Sequence, residues 1–486
     1  MGEGEDVELM HAPGAGTSGR GGGRHRGRRW RRRVRRPRGR KWRRQGRGLP
    51  LRRPRESGSA RRGRHTPCPT WHGGGASGPV PAGGSTRPGR NGRTGRHCAS
   101  GASPVRSPGR TTGASHPSWH SLLRLYIATD MEPLSLHFLH EKAGARFGAV
   151  GGRETVAGYG DSEGEYRAAK ASVALHDASY RETLRITGED RASYLHGMVT
   201  QEVNNLPVGT AAYAAMVTVK GAMVADARIL KREPDLLLDL EPGTGAKVRE
   251  FLDKYLISED AELHEATGEL ALLRLLGPRT EDVLSAALGS PHAPLSHHAA
   301  RTATLAGQEV WLLGSTAIEP HGVDVWVPRA GLEDAWRALS EAGAAHGLKP
   351  LGFEALELLR VEAGVPRYGQ DMVDTTIPLE ANLANAISYN KGCYIGQEVI
   401  ARATFRGHMN RKLTGLLLGD ADVAPGTELR RGEKKVGWLT SVVQSPVAGQ
   451  RVALGYVHRD SLEPGTELTL AAGPATVKVA SLPFSA

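Results

Sequence analysis

One cysteine stands in the segment NKGCYIGQEVIARATFRGH, and its setting favours reactivity. Cys393 is the only cysteine after residue 98. A thiol attacks, is oxidised or binds metal as its thiolate, and cations or a helix N-terminus lower its pKa from about 8.5. Lys391 lies two residues earlier, and Gly396, Gln397 and Glu398 open a predicted helix whose positive end lies close to the sulfur. The spacing therefore predicts an activated thiol.

Two further interpretations of this segment stay open. Gly392 and Gly396 carry no Cβ, so a ligand or partner has room to approach the backbone closely. Alternatively, Cys393 is a small buried hydrophobe beside a helix start, and Glu398 only pairs with an arginine one turn later. Metal binding by this chain alone is not expected, because residues 131–486 have no second cysteine and His408 is the only histidine nearby.

The positive charge of the chain is confined to one segment. The 486 residues carry a formal net charge of +13, but residues 1–130 hold 29 Lys and Arg against 6 Asp and Glu. The rest is mildly acidic, so a nucleic-acid-binding main body is not expected. A single cysteine in 131–486 indicates a reducing compartment, the cytoplasm or, in a eukaryote, the mitochondrial matrix. No apolar run approaches the roughly 18 residues of a membrane span.

Residues 1–130 are rich in Gly, Arg, Pro and Ser, and runs such as RHRGRRWRRRVRRPRGR have no apolar face to bury. This composition predicts disorder. Three interpretations stay open: a basic tail that contacts nucleic acid or an anionic membrane, a targeting segment, or an upstream start that precedes a working protein beginning at Met131.

The pattern becomes that of a folded protein after Met131. The segment YRAAKASVALHDAS spaces Ala169, Val173 and Ala174 as one helical face. ETLRITGEDRASYLHGMV predicts a strand, a turn and a helix, and GAMVADARILK alternates as a strand around Asp226. GLEDAWRALSEAGA and FEALELLRVEAG each predict a helix.

Short strands and glycine turns replace this pattern near the C-terminus, in KLTGLLLG, KKVGWLTSVV, RVALGYVH, ELTLAAG and ATVKVASL. They predict a small terminal β-barrel or sandwich. The predicted fold is α+β with three parts: a disordered basic segment 1–130, a mixed body 131–408 and an all-β domain 409–486.

The segment KGCYIGQEV resembles the signature of the YgfZ family, folate-binding proteins linked to iron–sulfur cluster maintenance. The likeness continues through AAYAAMVTVKGAMVADARIL and GVPRYGQDMVDTTIPLEANLANAISYN, which also resemble the wider aminomethyltransferase (GcvT) family, the glycine cleavage T-proteins. It covers residue 134 to the C-terminus. The resemblance implies a three-lobed body (131–408) with a central cavity for tetrahydrofolate or a derivative, and a C-terminal β-barrel (409–486).

The resemblance also implies site residues. Asp226 matches the catalytic aspartate of the aminomethyltransferases, Tyr213 matches a folate-contacting tyrosine, and Asp324 falls where that family has a folate-binding glutamate. Three features depart from the pattern: Leu356 replaces an arginine of the folate site, Glu241 replaces an asparagine, and the run from Glu319 to Gly322 reads EPHG where that family has glycine-glutamate-aspartate-glycine. The cysteine signature itself comprises Lys391, Gly392, Cys393, Tyr394, Gly396, Gln397 and Glu398.

The resemblance leads to one main functional prediction and two alternatives. The main one is a tetrahydrofolate-binding protein that supports assembly or repair of iron–sulfur proteins, including tRNA-modifying enzymes, with such clients as partners and with Cys393 and Asp226 as the chemical groups. The first alternative is a folate-dependent aminomethyl- or methyltransferase, so whether the chain is an enzyme stays open. The second is an RNA-associated regulator that uses the basic tail.

Overall fold

The computed structural model describes residues 131–315, 318, 321–405, 407–471, 473 and 475–484. The predictions made for 1–130, disorder and contact with RNA, lie outside these residues. Within them, no helix has the length and apolar composition needed to cross a membrane.

Helices and strands alternate irregularly along the described chain, as expected of an α+β protein. The α-helices are α1 (His137–Lys142), α2 (Ser162–Ala171), α3 (Arg191–Met198), α4 (Gly245–Asp253), α5 (Thr280–Leu288), α6 (Leu332–Ala344), α7 (Phe353–Glu362) and α8 (Gln397–Phe405). The strands are β1 (Arg146–Val150), β2 (Arg153–Gly158), β3 (Val173–Asp177), β4 (Glu182–Thr187), β5 (Thr210–Val217), β6 (Met223–Lys231), β7 (Leu236–Leu240), β8 (Glu262–Glu265), β9 (Leu270–Leu276), β10 (Ala300–Leu305), β11 (Gln308–Ser315), β12 (Gly322–Pro328), β13 (Leu348–Pro350), β14 (Arg411–Gly419), β15 (Glu428–Arg431), β16 (Lys434–Ser445), β17 (Gln450–His458), β18 (Glu467–Leu470) and β19 (Thr476–Ala480).

Two sheets form the centre of the body. The first has the order β5-β6-β7-β4-β8 and is antiparallel throughout. The second has the order β10-β11-β12-β9-β3-β13, and only its β3–β13 pair is parallel among the described strands. Helices α3 and α4 pack on one sheet through Leu195 and Val248, and α5 and α6 pack on the other through Leu284 and Leu339.

The remaining strands form a ribbon and a barrel. Strands β1 and β2 pair as a two-stranded antiparallel ribbon. Strands β14-β17-β16-β15-β18-β19 close into a barrel, because β14 also pairs with β19. The barrel has a core of its own, in which Leu416, Leu439 and Val477 are fully buried. The short strands and glycine turns predict a terminal β-barrel or sandwich, and the structure shows a closed barrel.

The facing surfaces of the two sheets change from apolar to charged along their strands. Leu230 of β6 and Leu237 of β7 pack against Leu272 and Trp326 of the second sheet. Because side chains alternate along a strand, the next positions on the same faces are two residues away. Those positions hold Arg228 of β6, Asp239 of β7, Arg274 of β9 and Asp324 of β12. The apolar contact between the sheets thus gives way to a charged layer.

Most elements predicted from periodicity are confirmed, and one is wrong. Strand β6, helices α6 and α7 and the strand–turn–helix β4–α3 lie where the sequence predicts them. The helix expected to carry Val173 and Ala174 instead ends at Ala171, and both residues belong to β3. Every residue of β3 is buried, since β9 and β13 flank it on both sides. A strand buried on both faces has no alternation to distinguish it from a helix.

The body is joined to the barrel by a buried arginine. Arg360 of α7 is only 4% exposed and donates to Asp371 Oδ2 at 2.7 Å and to Ser441 Oγ of β16 at 2.8 Å. It also donates to both carboxylate oxygens of Glu357, at 2.6 and 2.7 Å. Asp371 Oδ1 in turn accepts the hydroxyls of Thr440 and Ser441. One guanidinium therefore orders a helix of the body, a loop and a barrel strand.

Replacing Arg360 by alanine is expected to lower the free energy of unfolding by about 3–5 kcal/mol, because it leaves the buried Asp371 carboxylate without its cation and leaves Glu357 with Arg367 alone. Urea unfolding of the full chain measures the loss. The matched control is Arg337→Ala on α6, whose partner Glu333 is equally exposed to solvent, at 59% and 58% for the two side chains. That exposed pair should contribute less than about 1 kcal/mol. Equal losses in the two variants would show that the buried cation does not join body to barrel.

Candidate functional site

A cavity of about 280 Å³ opens where the charged layer of the two sheets meets α7 and the loop that follows it. This volume is near the lower end of the range of about 300–1,000 Å³ usual for small-molecule sites. The lining combines aromatic rings, arginines and carboxylates, with contributions from both sheets. The residues used below are Tyr180, Arg181, Tyr213, Asp226, Arg228, Asp239, Glu241, Arg274, Phe353, Leu356, Glu357, Arg360 and Arg367.

Arg228 bridges the two sheets at the base of the cavity. Its Nε and Nη2 donate to Asp239 Oδ2 of its own sheet at 2.8 and 2.6 Å. Its Nη1 donates to Asp324 of the second sheet, and Arg274 Nε donates to the other oxygen of that carboxylate at 2.6 Å. Burial alone raises the pKa of Asp324, but Arg228 and Arg274 outweigh it and hold the pKa well below its usual range. The carboxylate is therefore ionised in the folded protein.

Arg181 continues this charged layer along the cavity lining. Its Nε donates to Asp239 Oδ1 at 2.6 Å and its Nη1 to Glu241 Oε1 at 2.5 Å. Burial raises the pKa of Asp239, but Arg181 and Arg228 overcome this and leave it lowered. Each guanidinium in this row is thus engaged by carboxylates of the protein.

Asp226 is the carboxyl group that this layer leaves without a cation. The Tyr213 hydroxyl donates to its Oδ2 at 2.7 Å, while its buried Oδ1 has no hydrogen-bond partner among the described residues. Burial, and next the Glu241 carboxylate, raise the pKa of Asp226 from 3.8 to about 6, against the lowering effects of Tyr213 and Arg181. A buried polar atom without a partner is uncommon in folded proteins and often marks a site of function.

The opposite wall of the cavity comes from α7 and the loop after it. The Arg367 guanidinium lies 5.1 Å from the centre of the Phe353 ring and donates to Glu357 at 3.1 Å. Burial raises the pKa of Glu357, but Arg360 and Arg367 outweigh it and lower the pKa. Leu356, which departs from the aminomethyltransferase pattern, lines the same wall, and Glu241, which also departs from it, lies on the sheet side. Glu319 and Pro320 of the third departure lie outside the described residues.

The predicted folate residues divide between contact and support. Tyr213 and Asp226 line the cavity next to each other, since they are diagonal neighbours on β5 and β6. Asp324 is fully buried and is absent from the lining, because Arg228 and Arg274 occupy its carboxylate. Its carboxylate supports two cavity arginines, and the contact with folate expected from the sequence stays a prediction.

The cysteine segment lies at the surface, apart from the lining of this cavity. Cys393 is exposed, so its alternative interpretation as a buried hydrophobe is wrong. The Lys391 ammonium donates to the carbonyl oxygens of His196, Val199 and Gln201, at 2.5, 2.7 and 2.8 Å. Burial lowers the pKa of Lys391 to about 8. Since three carbonyls take its three protons, Lys391 holds the segment to the end of α3 and does not serve the sulfur.

The glycine and helix of this segment have packing roles. Gly396 has φ of +80°, and a Cβ there would lie 2.5 Å from the Thr218 carbonyl oxygen in the turn between β5 and β6. The close approach predicted at Gly396 is therefore made by the chain itself. Helix α8 begins at Gln397 as predicted, and Glu398 and Arg402 pair on its exposed face at 2.5 Å. Tyr394 is buried under the Lys391 ammonium, 5.1 Å from its ring centre.

The charged partners of the cavity were not identified from the sequence. Arg181 and Arg274 contact their carboxylates only between distant segments, since 58 residues separate Arg181 from Asp239 and 50 separate Arg274 from Asp324. One signal was available, since an aspartate inside LLLDL interrupts an otherwise apolar strand and requires a buried partner. Among the described residues, no group of three or more His, Cys, Asp and Glu side chains is placed to hold a metal ion.

Comparison with known proteins identifies both parts of the fold. Residues 136–391 match the model of the GCVT N-terminal domain, and residues 411–485 match that of the glycine cleavage T-protein C-terminal barrel domain. The segment with Cys393 lies between the two matched ranges.

Curated relatives and a solved structure agree with these matches. The chain is 29% identical over 356 residues to an aminomethyltransferase of Saccharopolyspora erythraea, covering 72% of this chain and 96% of the relative. It is 29% identical over 347 residues to an aminomethyltransferase of Rubrobacter xylanophilus, covering 71% and 92%.

The crystal structure of glycine cleavage system aminomethyltransferase T from Bartonella henselae has the same fold, with a TM-score of 0.67 and 24% identity over 73% of this chain and 98% of that one. The two-sheet body, the terminal barrel and the two matched domains lead to one conclusion. The chain belongs to the GcvT family, with the N-terminal domain and the C-terminal barrel of the glycine cleavage T-proteins.

Proposed function

We propose that this protein binds a reduced folate in the cavity between its two sheets and transfers a one-carbon unit there, as a folate-dependent aminomethyltransferase. The observation that carries the proposal is Asp226, whose buried Oδ1 lacks a partner at the cavity wall. A group that the fold leaves unsatisfied in a cavity is suited to a ligand that completes its hydrogen bonds.

The other cavity residues fit such a ligand. Tyr180, Tyr213 and Phe353 supply aromatic surface for a flat heterocyclic ring. Carboxylates and guanidinium groups on both walls match the ring's many hydrogen-bond donors and acceptors. A reduced folate supplies the nitrogen atoms that accept a one-carbon unit. With a pKa near 6, Asp226 is able to hold or accept a proton beside such a nitrogen at physiological pH.

The curated relatives support transfer as the leading activity. Relatives that the chain covers almost completely are named aminomethyltransferase. Iron–sulfur support is the main prediction from the sequence and transfer is its alternative, and the names of the relatives favour transfer. Leu356 and Glu241, which depart from the transferase pattern, both line the cavity. These departures concern the wall of the site and leave Asp226 and Tyr213 in place.

A second candidate function is that of a YgfZ-like folate-binding protein that supports iron–sulfur proteins. The specific observation in its favour is the cysteine segment. Cys393 is exposed, follows Lys391, whose ammonium is hydrogen-bonded to three carbonyl oxygens, and lies between the two matched family domains. In this proposal folate occupies the same cavity, while Cys393 contacts a client protein or a cluster intermediate.

Asp226→Asn tests the transfer proposal. Turnover should fall by at least about 100-fold, because the amide removes a group that holds and releases a proton. Formation of methylene-tetrahydrofolate from tetrahydrofolate and an aminomethylated lipoyl carrier is the measurement, with tetrahydrofolate binding followed by calorimetry. Asp253→Asn, on the exposed side of α4, is the matched control and should keep wild-type turnover. Absence of tetrahydrofolate binding by the wild-type protein would overturn the proposal altogether.

Asp226→Asn should also stabilise the protein at high pH. The folded-state pKa of about 6 lies above the ordinary 3.8. The folded protein therefore favours the protonated carboxyl, and stability present below pH 3.8 is lost as the pH rises through 6. At pH 8 the variant should exceed wild type by about 2 kcal/mol, after allowance for partial exposure to the cavity, and near pH 4 the two should agree.

Urea unfolding at the two pH values measures this difference. Asp253→Asn should change stability little at either pH, because Asp253 is half exposed and pairs only with Arg249. A wild-type protein more stable than Asp226→Asn at pH 8 would mean that the carboxylate has a stabilising partner.

Cys393→Ala separates the two candidate functions. If the protein supports iron–sulfur enzymes, cells carrying the variant should lose activity of a labile cluster enzyme under oxidative stress, while tetrahydrofolate affinity stays unchanged. If the protein is a transferase alone, the variant should match wild type in both measurements. The matched control is Ser193→Ala, at an exposed position on α3.

A further inference from the structure

Two cavity carboxyl groups, Asp226 on β6 and Glu241 just after β7, lie close enough to interact electrostatically. In the antiparallel register of β6 and β7, Arg228 pairs with Asp239 and Ala227 pairs with Leu240. Extending this register by one position, past the last paired residues, places Asp226 opposite Glu241, the residue that follows β7, and both residues line the cavity. Side chains at opposite positions share one face of the sheet, with Cβ atoms roughly 4.5–5.5 Å apart. The two carboxyl groups are therefore neighbours within one site.

The charges around this pair do not balance two negative groups. Arg181 contacts Glu241 and Asp239, and no hydrogen bond from it to Asp226 occurs among the described residues. Arg228 is held between Asp239 and a carboxylate of the second sheet. The nearest cations are thus already engaged by other carboxylates.

Two phenols also lie near Asp226. Tyr213 of β5 donates its hydroxyl to Asp226 Oδ2. Tyr368, from the loop after α7, is close enough to interact electrostatically, but its hydroxyl is engaged by Lys247 and Asp374. Neither phenol neutralises a second negative charge. Two carboxyl groups in such a place titrate as a pair and resist the loss of both protons.

We propose that Glu241 is a positioning residue that keeps one proton on the Asp226–Glu241 pair, so that Asp226 Oδ1 presents a hydrogen-bond donor to the ligand. This inference deepens the proposed function and rests on it for the identity of the ligand, a reduced folate. The unpartnered Oδ1 is the natural site of the proton, because it has no acceptor within the described protein. The ligand class that fits is a neutral amine or ring nitrogen with a free lone pair.

The first experiment examines the pair without folate. Infrared difference spectra of the full chain, recorded while the pH is stepped from 4 to 8, follow the carbonyl band of a protonated carboxyl group. Wild type should show a band that titrates near pH 6 and that Asp226→Asn removes. Glu241→Gln should move the midpoint down by about one pH unit, because it removes the facing negative charge. An unmoved midpoint overturns the proposal.

The second experiment links the pair to the ligand. Tetrahydrofolate affinity of wild type should fall as the pH rises through the midpoint, and Glu241→Gln should displace this fall to lower pH by the same amount. Glu269→Gln is the matched control, since Glu269 also pairs with an arginine but lies half exposed, away from the cavity. A displacement in the control as well would mean that the effect is not specific to the pair, and this too overturns the proposal.

The outcomes also separate this inference from the proposed function. If the infrared midpoint moves in Glu241→Gln but wild type binds no tetrahydrofolate, the carboxyl pair is supported and the folate site is refuted. If tetrahydrofolate binds and the midpoint does not move, the folate site stands and the role of Glu241 is refuted. Should Glu241→Gln unfold, Glu241→Asn, the residue expected from the aminomethyltransferase pattern, replaces it with the same predicted direction.

Discussion

The contact of Arg228 with Asp239 on one sheet and Asp324 on the other is the interaction on which the site depends. Removing one partner of a buried ion pair lowers protein stability far more than replacing both partners by apolar residues. The bridge therefore fixes the separation and register of the two sheets at the point where their apolar contact ends. Asp226 lies two residues along β6 from Arg228, so the same constraint sets its position.

Beyond this bridge, the charged layer follows a simple balance. Among the described residues at the base of the cavity, three guanidinium groups pair with three carboxylates: Arg181, Arg228 and Arg274 with Asp239, Glu241 and Asp324. Asp226 is a fourth carboxyl group and has no cation of its own in the described part of the chain. A fold selected for stability alone gains little from an additional buried carboxyl group, because its ionised form loses hydration without gaining a cation. The position of Asp226 beside Tyr213 in the cavity wall is therefore a reason to propose a chemical role for it.

The sequence predicted those features that depend on local pattern. Alternation identified β6 and placed Asp226 and Arg228 on one face, and the 3.6-residue period identified α6. It failed at β3, whose five buried residues carry no period. The ion pairs that form the site escaped prediction for a different reason, because charge in a sequence does not indicate which distant residue will neutralise it. Likewise, Lys391 was assigned to the sulfur by proximity along the chain, while the fold directs it to carbonyl oxygens of α3.

The junction between body and barrel has a consequence for synthesis on the ribosome. Glu362, at the end of α7, accepts hydrogen bonds from Tyr166 of the body and from Ser445 of the barrel, and its carbonyl accepts the backbone N–H of Phe484. Arg360 precedes its barrel partner Ser441 by 81 residues. At translation rates of about 5–20 residues per second, α7 waits roughly 4–16 s before that partner emerges. During that interval the nascent body exposes groups that the finished protein buries, so its folding is completed only by the last strands to be made.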